Sequence, residues 1–344
     1  MGLQKYFDEF NKKIKMDYDE NSLLAEKRDI LLEKLEKAED LPSFKKLDQG
    51  SYSMFTGVEP LDKDYDIDVG LRFEINKDDI EPVELKEKVY DVVKNHTHNV
   101  EIRKPCITVY YKEDGEIAYH VDLVVYAYED KEDTDSQLYL ARGTKYSKDE
   151  NKYWEEADPK GLKDKIMNKF EEAEERAQYR RIIRYLKRWK NIKFSSDGNA
   201  EPPGIGITLL AYEFFDPKEY DILQCKYVFN DLKALKNLVE KIIDRFIPVE
   251  YSQVREEYLY EIELNLPVQP YTNVFSKMSN NYMTDFKNKL EKLLKCLKEV
   301  DEECDVIEQC KLLAKEFGED FPIPTAEEVS KRQEKSILSN SHSA

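Results

Sequence analysis

Tyr65-Asp66-Ile67-Asp68-Val69-Gly70-Leu71-Arg72-Phe73 alternates strictly. Tyr65, Ile67, Val69, Leu71 and Phe73 are apolar, and the residues between them are not, which is the period of a half-buried strand. On such a strand Asp66 and Asp68 project from one face. Two neighbouring carboxylates repel, and one keeps its proton unless a cation sits between them. A divalent metal meets that need, Mg2+ being held by one or two carboxylates together with substrate phosphates. Fifteen residues before Asp66 lies Ser51, in the glycine-serine turn Gln49-Gly50-Ser51-Tyr52. Taken alone, that turn is a simple entry to a helix. Beside an Asp-x-Asp strand it becomes a candidate phosphate cradle, because glycine lets backbone approach an anion and serine donates a hydrogen bond.

A second strand pattern runs from Tyr119 to Tyr126 and holds one acid, Asp122. Residues from Val100 to Tyr111 read as its neighbour, with Glu113-Asp114-Gly115 as the hairpin turn. A buried carboxylate needs a partner. If this strand lies beside Tyr65–Phe73, three aspartates converge, enough for two metals. Two such ions activate an attacking hydroxyl and stabilise a leaving pyrophosphate.

The order Gly-Ser, Asp-x-Asp and a third Asp on a later strand resembles the DNA polymerase β-like nucleotidyltransferases. Further motifs narrow the resemblance to the CD-NTases, bacterial relatives of cGAS that make cyclic oligonucleotide signals. They are Leu186-Lys187-Arg188-Trp189-Lys190, Pro202-Pro203-Gly204-Ile205-Gly206-Ile207-Thr208, Leu266-Pro267-Val268-Gln269-Pro270 with Asn273-Val274, and Phe317-Gly318-Glu319-Asp320-Phe321-Pro322.

The resemblance implies an α+β fold: a polymerase β-like nucleotidyltransferase sheet, a long spine helix and a C-terminal helical lobe. It implies that Asp66 and Asp68 hold two Mg2+ or Mn2+ ions, and that Asp122 holds the ion beside the attacking hydroxyl or acts as its base. Gln49, Gly50, Ser51 and Tyr52 would line the donor nucleotide, Lys187 would contact its triphosphate, and Asn273 would meet base or ribose. Relatives often carry a serine where this chain has Gly204, so backbone N–H groups or Thr208 would take over that phosphate contact. Substrates would be ATP, GTP or both, with pyrimidine triphosphates also open. The cyclic product would act on a downstream effector in antiphage defence of the CBASS type, with a regulatory protein as a candidate controller. Some relatives are regulated by conjugation through their C-terminus, but for this chain's tail the favoured reading is that it has no function.

Composition bears on the alternatives. The 344 residues carry 54 Lys and Arg against 72 Asp and Glu, a net charge of −18. Phosphate contacts dominate duplex binding, so no duplex DNA activator is expected, and a linear oligonucleotide synthase or an RNA or tRNA nucleotidyltransferase lacks its basic track. A catalytically silent nucleotide-binding module would be expected to have lost a metal aspartate, and none is missing. Five cysteines without a CxxC pair suggest reduced thiols in the cytoplasm. No apolar run approaches the ~20 residues of a membrane span.

Along the chain, Asn21-Ser22 reads as the cap of a helix ending near Asp40, and Glu81 to Lys94 as another helix. Lys163 to Lys193 reads as one spine helix, with Tyr179, Ile182, Ile183, Leu186 and Trp189 as its buried stripe. From Arg176 onward it carries eight bases and no acid, read as a solvated basic face from which Lys187 is the exception and on which Arg181 points away from the site. Helices are expected over Leu209–Phe215, Tyr227–Phe246, Thr284–Val300 and Cys304–Phe317. The expected domains are 1–190, the nucleotidyltransferase core; 191–330, the helical lobe; and 331–344, a polar disordered tail.

Overall fold

The structure is a computed structural model and describes residues 2–16, 22–61, 64–113, 116–195, 198–221 and 225–330. The expected cap at Asn21, the turn at Asp114-Gly115 and the tail 331–344 lie outside the described residues. Contacts divide the chain into a sheet unit, residues 16–169 with 265–273, and a helical unit, residues 1–15, 170–264 and 274–344. The boundary therefore falls at 169/170 rather than 190/191. Helix α1 (Gln4–Ile14) and the basic helix belong to the helical unit, not to the sheet.

In the sheet unit, α2 (Ser22–Glu36) leads to β1 (Phe44–Asp48), the short α3 (Gly50–Ser53) and β2 (Tyr65–Asn76). Then come α4 (Pro82–Val93), β3 (Asn99–Ile102), β4 (Ile107–Glu113), β5 (Glu116–Tyr128), β6 (Leu138–Arg142), β7 (Tyr153–Ala157) and α5 (Pro159–Met167). Strand order is β1-β2-β5-β4-β3, with β6 bridging β5 and β7. Among the described residues only the central pair β2·β5 of this sheet is parallel, and α4 with the β3–β4 hairpin forms the crossover that a parallel pair requires. Ile67, Val69, Leu71 and Phe73 join Val121, Leu123 and Val125 in a core closed by Leu31 and Leu35 of α2 and by Leu85, Val89 and Val93 of α4. The period-2 alternation that buries those residues turns Asp66 and Asp68 to the opposite face.

Residues 100–111 form two strands rather than one. Pro105 has no N–H to give a ladder, and Arg103 N donates to Cys106 O at 2.9 Å, closing a turn. Lys86 of α4 holds that turn from beneath. Fully buried, it donates to the carbonyls of Arg103, Lys104 and Gly143 at 2.5, 2.9 and 2.8 Å.

The spine also breaks. Helix α5 stops at Met167 and α6 (Ala173–Lys193) starts anew. Between them Phe170 turns inward against Tyr179 and Phe215, and Arg176 Nη1 takes up the Phe170 and Glu171 carbonyls at 2.8 and 2.5 Å. The acidic run around it is compatible with a continuous helix, so the break has no local signal. In the helical unit α7 (Gly204–Phe214), the ribbon β8 (Glu219–Asp221)–β9 (Lys226–Val228) and α8 (Asp231–Ile243) follow. The helix expected from Tyr227 thus begins at Asp231, capped by Asn230. The hairpin β10 (Ile247–Ser252)–β11 (Glu257–Glu261), α9 (Asn280–Glu302) and α10 (Val306–Phe317) complete this unit.

The apolar stripe of α6 is buried as expected, but Arg184, Lys187 and Arg188 are buried too. The basic face is not solvated. Arg184 Nε donates to Asn11 Oδ1 at 2.8 Å, and Arg188 pairs with Asp320 at 3.2 Å. Arg181 grips the fully buried Asp231 with two bonds of 2.7 and 2.9 Å, and Tyr185 and Gln178 donate to the same carboxylate. Arg181 is thus part of the fold's interior rather than a dispensable surface charge.

Candidate active site

Asp66 and Asp68 stand on β2, and the parallel register sets Asp66 opposite His120 and Asp68 opposite Asp122 on β5. All four side chains therefore share the face turned away from the core. On the next strand Thr108 of β4 lies opposite Asp122 and donates its hydroxyl to Asp122 Oδ1 at 2.6 Å. His120 Nδ1 meets Asp64 Oδ1 at 2.9 Å, and its Nε2 lies 3.3 Å from Asp66 Oδ1.

The electrostatics follow from crowding acids on one face. Burial, then the charges of Asp66 and Asp122, push the Asp68 carboxyl up to about 8. Burial also raises Asp122, against the opposing bond from Thr108. For His120, burial alone would lower the imidazole, but its bond to Asp66 and the surrounding acids hold it at about 9. A cation among these carboxylates would relieve the crowding that raises Asp68 and Asp122. Ligand atoms of Asp66, His120 and Asp122 all lie within 4.8 Å of one another, and the donors are mostly hard oxygens. The residues fit a divalent ion.

The turn before β2 is tied to the same place. Gly50 has φ +74°, and a Cβ there would come within 2.0 Å of Asp68 Oδ2, so only glycine leaves room for the carboxylate. Gln49 reaches across β2 at Gly70, where a Cβ would meet its Oε1 at 2.9 Å, and accepts a hydrogen bond from Tyr126 on β5 at 3.0 Å. Ser51 is exposed, Tyr52 half-buried, and the turn is locked by Ser53 Oγ donating to Gly50 O at 3.1 Å and Thr56 N donating to Ser51 O at 3.1 Å. The structure thus gathers Gln49, Gly50, Asp66, Asp68 and Asp122 in one unit.

Three comparisons bear on this arrangement. Residues 43–126, from β1 into β5, match the family described as "Cyclic GMP-AMP synthase DncV-like, nucleotidyltransferase domain". A cyclic GMP-AMP synthase of Escherichia albertii is 28% identical over 172 residues, covering 47% of this chain and 35% of that protein. The match thus spans about a third of that relative's length. Among solved structures, the Bradyrhizobium diazoefficiens CD-NTase CdnG in complex with GTP aligns with a TM-score of 0.67 at 13% identity, over 92% of this chain and 95% of its own. CdnC of E. coli MS115-1 with ATP aligns at 0.64 and 17% identity over 92% and 98%, and that protein has also been solved in complex with HORMA-deltaN.

Residues 43–126 are a DncV-like nucleotidyltransferase domain, and the chain shares the fold of the CD-NTase structures. Its sheet unit carries the nucleotidyltransferase domain, and no helix among the described residues is long and apolar enough to cross a membrane.

The other residues singled out from the CD-NTase resemblance sit elsewhere. Lys187 and Gly204 are neighbours in the helical unit, the lysine Cε lying 4.0 Å from where a Gly204 Cβ would stand at the start of α7. Burial, then Lys190 and Arg184, lower Lys187 to about 7. Thr208 is buried and donates its hydroxyl to Gly204 O at 3.0 Å, inside its own helix. The one hydroxyl proton of Thr208 is thus engaged within the helix. Gly206 serves packing, since a Cβ would strike the Phe275 ring at 2.6 Å. Asn273 lies in the sheet unit, in the bridge Asn265–Asn273 that closes the loop 265–273.

His120, Thr108 and Asp64 escaped the sequence reading. The signal for His120 was present: it stands two residues before Asp122 on one strand face, the same spacing that picked out Asp66 from Asp68. Thr108 gave none, because a threonine in an apolar strand fits β-propensity without any partner.

Proposed function

We propose that this chain is a CD-NTase, which joins nucleoside triphosphates, ATP and GTP foremost, into a cyclic di- or trinucleotide that serves as a second messenger in antiphage defence. The observation that carries this is the register of β2 on β5, with Asp68 directly opposite Asp122, Asp66 on the same face and Gly50 closing over the Asp68 carboxylate. Asp66 and Asp68 would hold two divalent ions. When bound, such ions neutralise phosphate charge and make the attacking ribose hydroxyl more acidic. Asp122, aligned by Thr108, would hold the ion beside that hydroxyl or accept its proton. Gly50 and Ser51 present the turn to the donor phosphates, and Lys187 adds a point charge on the triphosphate. The chain's part in catalysis is positioning and charge complementarity. The solved complex of CdnC with HORMA-deltaN supports a protein partner for this chain, and we propose that such a partner controls its activity.

The test is incubation with labelled ATP, GTP, CTP and UTP, singly and together, with Mg2+ or Mn2+. A phosphatase-resistant product of cyclic mass is expected, and it should vanish in Asp66→Asn/Asp68→Asn. Linear product alone, or unchanged turnover in the double variant, overturns the proposal.

A further inference from the structure

We infer that His120 is itself a ligand of the ion held by Asp66 and Asp122, with Asp64 as its orienting partner. The site therefore favours an imidazole-accepting divalent ion, Mn2+ or Co2+, over Mg2+. The inference rests on the metal-dependent reading above and adds a nitrogen donor to its three acids.

The placement comes from the strands. His120 and Asp122 are two residues apart on β5, and Asp66 lies directly opposite His120 on β2. Three side chains from two hydrogen-bonded strands therefore face one point. Nε2 of His120 and Oδ1 of Asp66 are 3.3 Å apart, and the ligand atoms of all three residues fall within 4.8 Å. With metal–ligand bonds of roughly 2.1 Å, adjacent donors on one ion stand about 3.0 to 3.4 Å apart and opposite donors about 4.2 Å apart. The first separation already matches adjacent donors, and a small inward shift brings in the third.

The second observation is the far side of the ring. His120 Nδ1 lies 2.9 Å from Asp64 Oδ1. A metal-bound histidine commonly donates its other N–H to a carboxylate, which fixes the tautomer and leaves the remaining nitrogen lone pair for the ion. With Nδ1–H given to Asp64, an ion arriving between Nε2 and Asp66 would take the place of the Nε2 proton, which leaves to solvent. His120 is mostly buried, so the ring is held, while Asp64 and Asp66 remain about half open to solvent and an ion can enter. Imidazole suits later first-row ions, whereas Mg2+ is served by carboxylate, carbonyl and water. The competing account is an imidazolium that only bridges Asp64 and Asp66, with no bond to metal.

Spin-echo envelope modulation of Mn2+ bound to the full chain without nucleotide separates the two. A directly bound nitrogen should modulate the echo in the wild-type protein and vanish in His120→Gln. In His120→Gln, and more weakly in Asp64→Asn, Mn2+ affinity should fall about tenfold or more while Mg2+ affinity changes little. No nitrogen coupling in the wild type overturns the assignment, as does coupling retained in His120→Gln. The wild-type spectrum needs no variant, so it decides the matter even if His120→Gln fails to fold. Because the measurement needs no product, nitrogen-coupled Mn2+ on a chain that makes no cyclic nucleotide would refute the proposed reaction and leave this ligand in place.

Discussion

Replacing Thr108 by valine removes one hydroxyl from the floor of the site and little else. That hydroxyl is fully buried and donates to Asp122 Oδ1 at 2.6 Å. A hydrogen bond to a charged acceptor contributes roughly 1.5–3 kcal/mol. The carboxylate of Asp122 already carries a burial penalty that raises its pKa, and the Thr108 bond is the first influence opposing it. Without that bond Asp122 holds its proton more tightly and its carboxylate is free to rotate. Both effects act against metal binding, and losing an orienting partner of this kind costs about 10–100-fold in affinity or activity. The expected result for Thr108→Val is a Mn2+ or Mg2+ activation midpoint raised at least tenfold at neutral pH. The acid limb of kcat/KM should also move to higher pH, since more base is needed to ionise Asp122. Thr108→Ser should restore both, because serine keeps the donor. The Cys106 thiol also hydrogen-bonds the Asp122 carboxylate and is a weaker donor than the hydroxyl, so Cys106→Ala on the Thr108→Val background should deepen the loss. A thermal melt within a few degrees of wild type establishes that folding is intact. Wild-type metal midpoint and pH profile in Thr108→Val would refute the reasoning.

Gly50→Ala places a methyl group within 2.0 Å of Asp68 Oδ2 at a φ of +74°; it should displace that carboxylate and abolish turnover, at a stability cost of only about 1–2 kcal/mol from the backbone, measurable by urea unfolding. Arg181→Met leaves the buried Asp231 without its counter-charge and should destabilise the chain by about 3–5 kcal/mol in the same assay, with Asp231→Asn on that background recovering part of the loss; an unchanged urea midpoint would refute the pairing. Lys187, lowered to about 7, carries its charge below that pH and loses it above, so KM for nucleoside triphosphate should be flat in acid and climb above pH ~7, whereas Lys187→Arg, always charged, should stay flat to pH 9. Long duplex DNA at about 0.15 M salt should leave the rate unchanged, given the charge of −18; a large DNA-dependent increase would overturn that expectation.

What the sequence made legible depended on whether neighbours in the chain were also neighbours in space. Asp66 and Asp68 were readable because period 2 alone puts them on one face. Asp122 was readable as an acid in an apolar run that had to find a partner. That it lies opposite Asp68, with His120 opposite Asp66, was not readable, because the register of a parallel pair is set by the crossover through α4 and by the core beneath it. The boundary between the units was missed for a related reason. Phe170 breaks the spine through contacts with Tyr179 and Phe215, and the latter is 45 residues away.

The bases of α6 show the same limit and give Lys187 its meaning. Counted along the chain, Arg181, Arg184, Lys187, Arg188, Lys190 and Lys193 form one cationic tract. Counted with their partners, Arg181 is committed to Asp231, Arg188 to Asp320, Lys190 to Glu201 and Lys193 to Glu316, none of which lies in the helix itself. Those four cations are neutralised inside the helical unit and offer little to a passing phosphate. Lys187 stands in a different field: burial, Lys190 and Arg184 all disfavour its charge. An anion arriving beside it would reverse that balance and draw in a proton, so binding a triphosphate there is coupled to proton uptake near neutral pH. What distinguishes Lys187 from the other bases of the helix is this field, which lowers its pKa to about 7, and not their number.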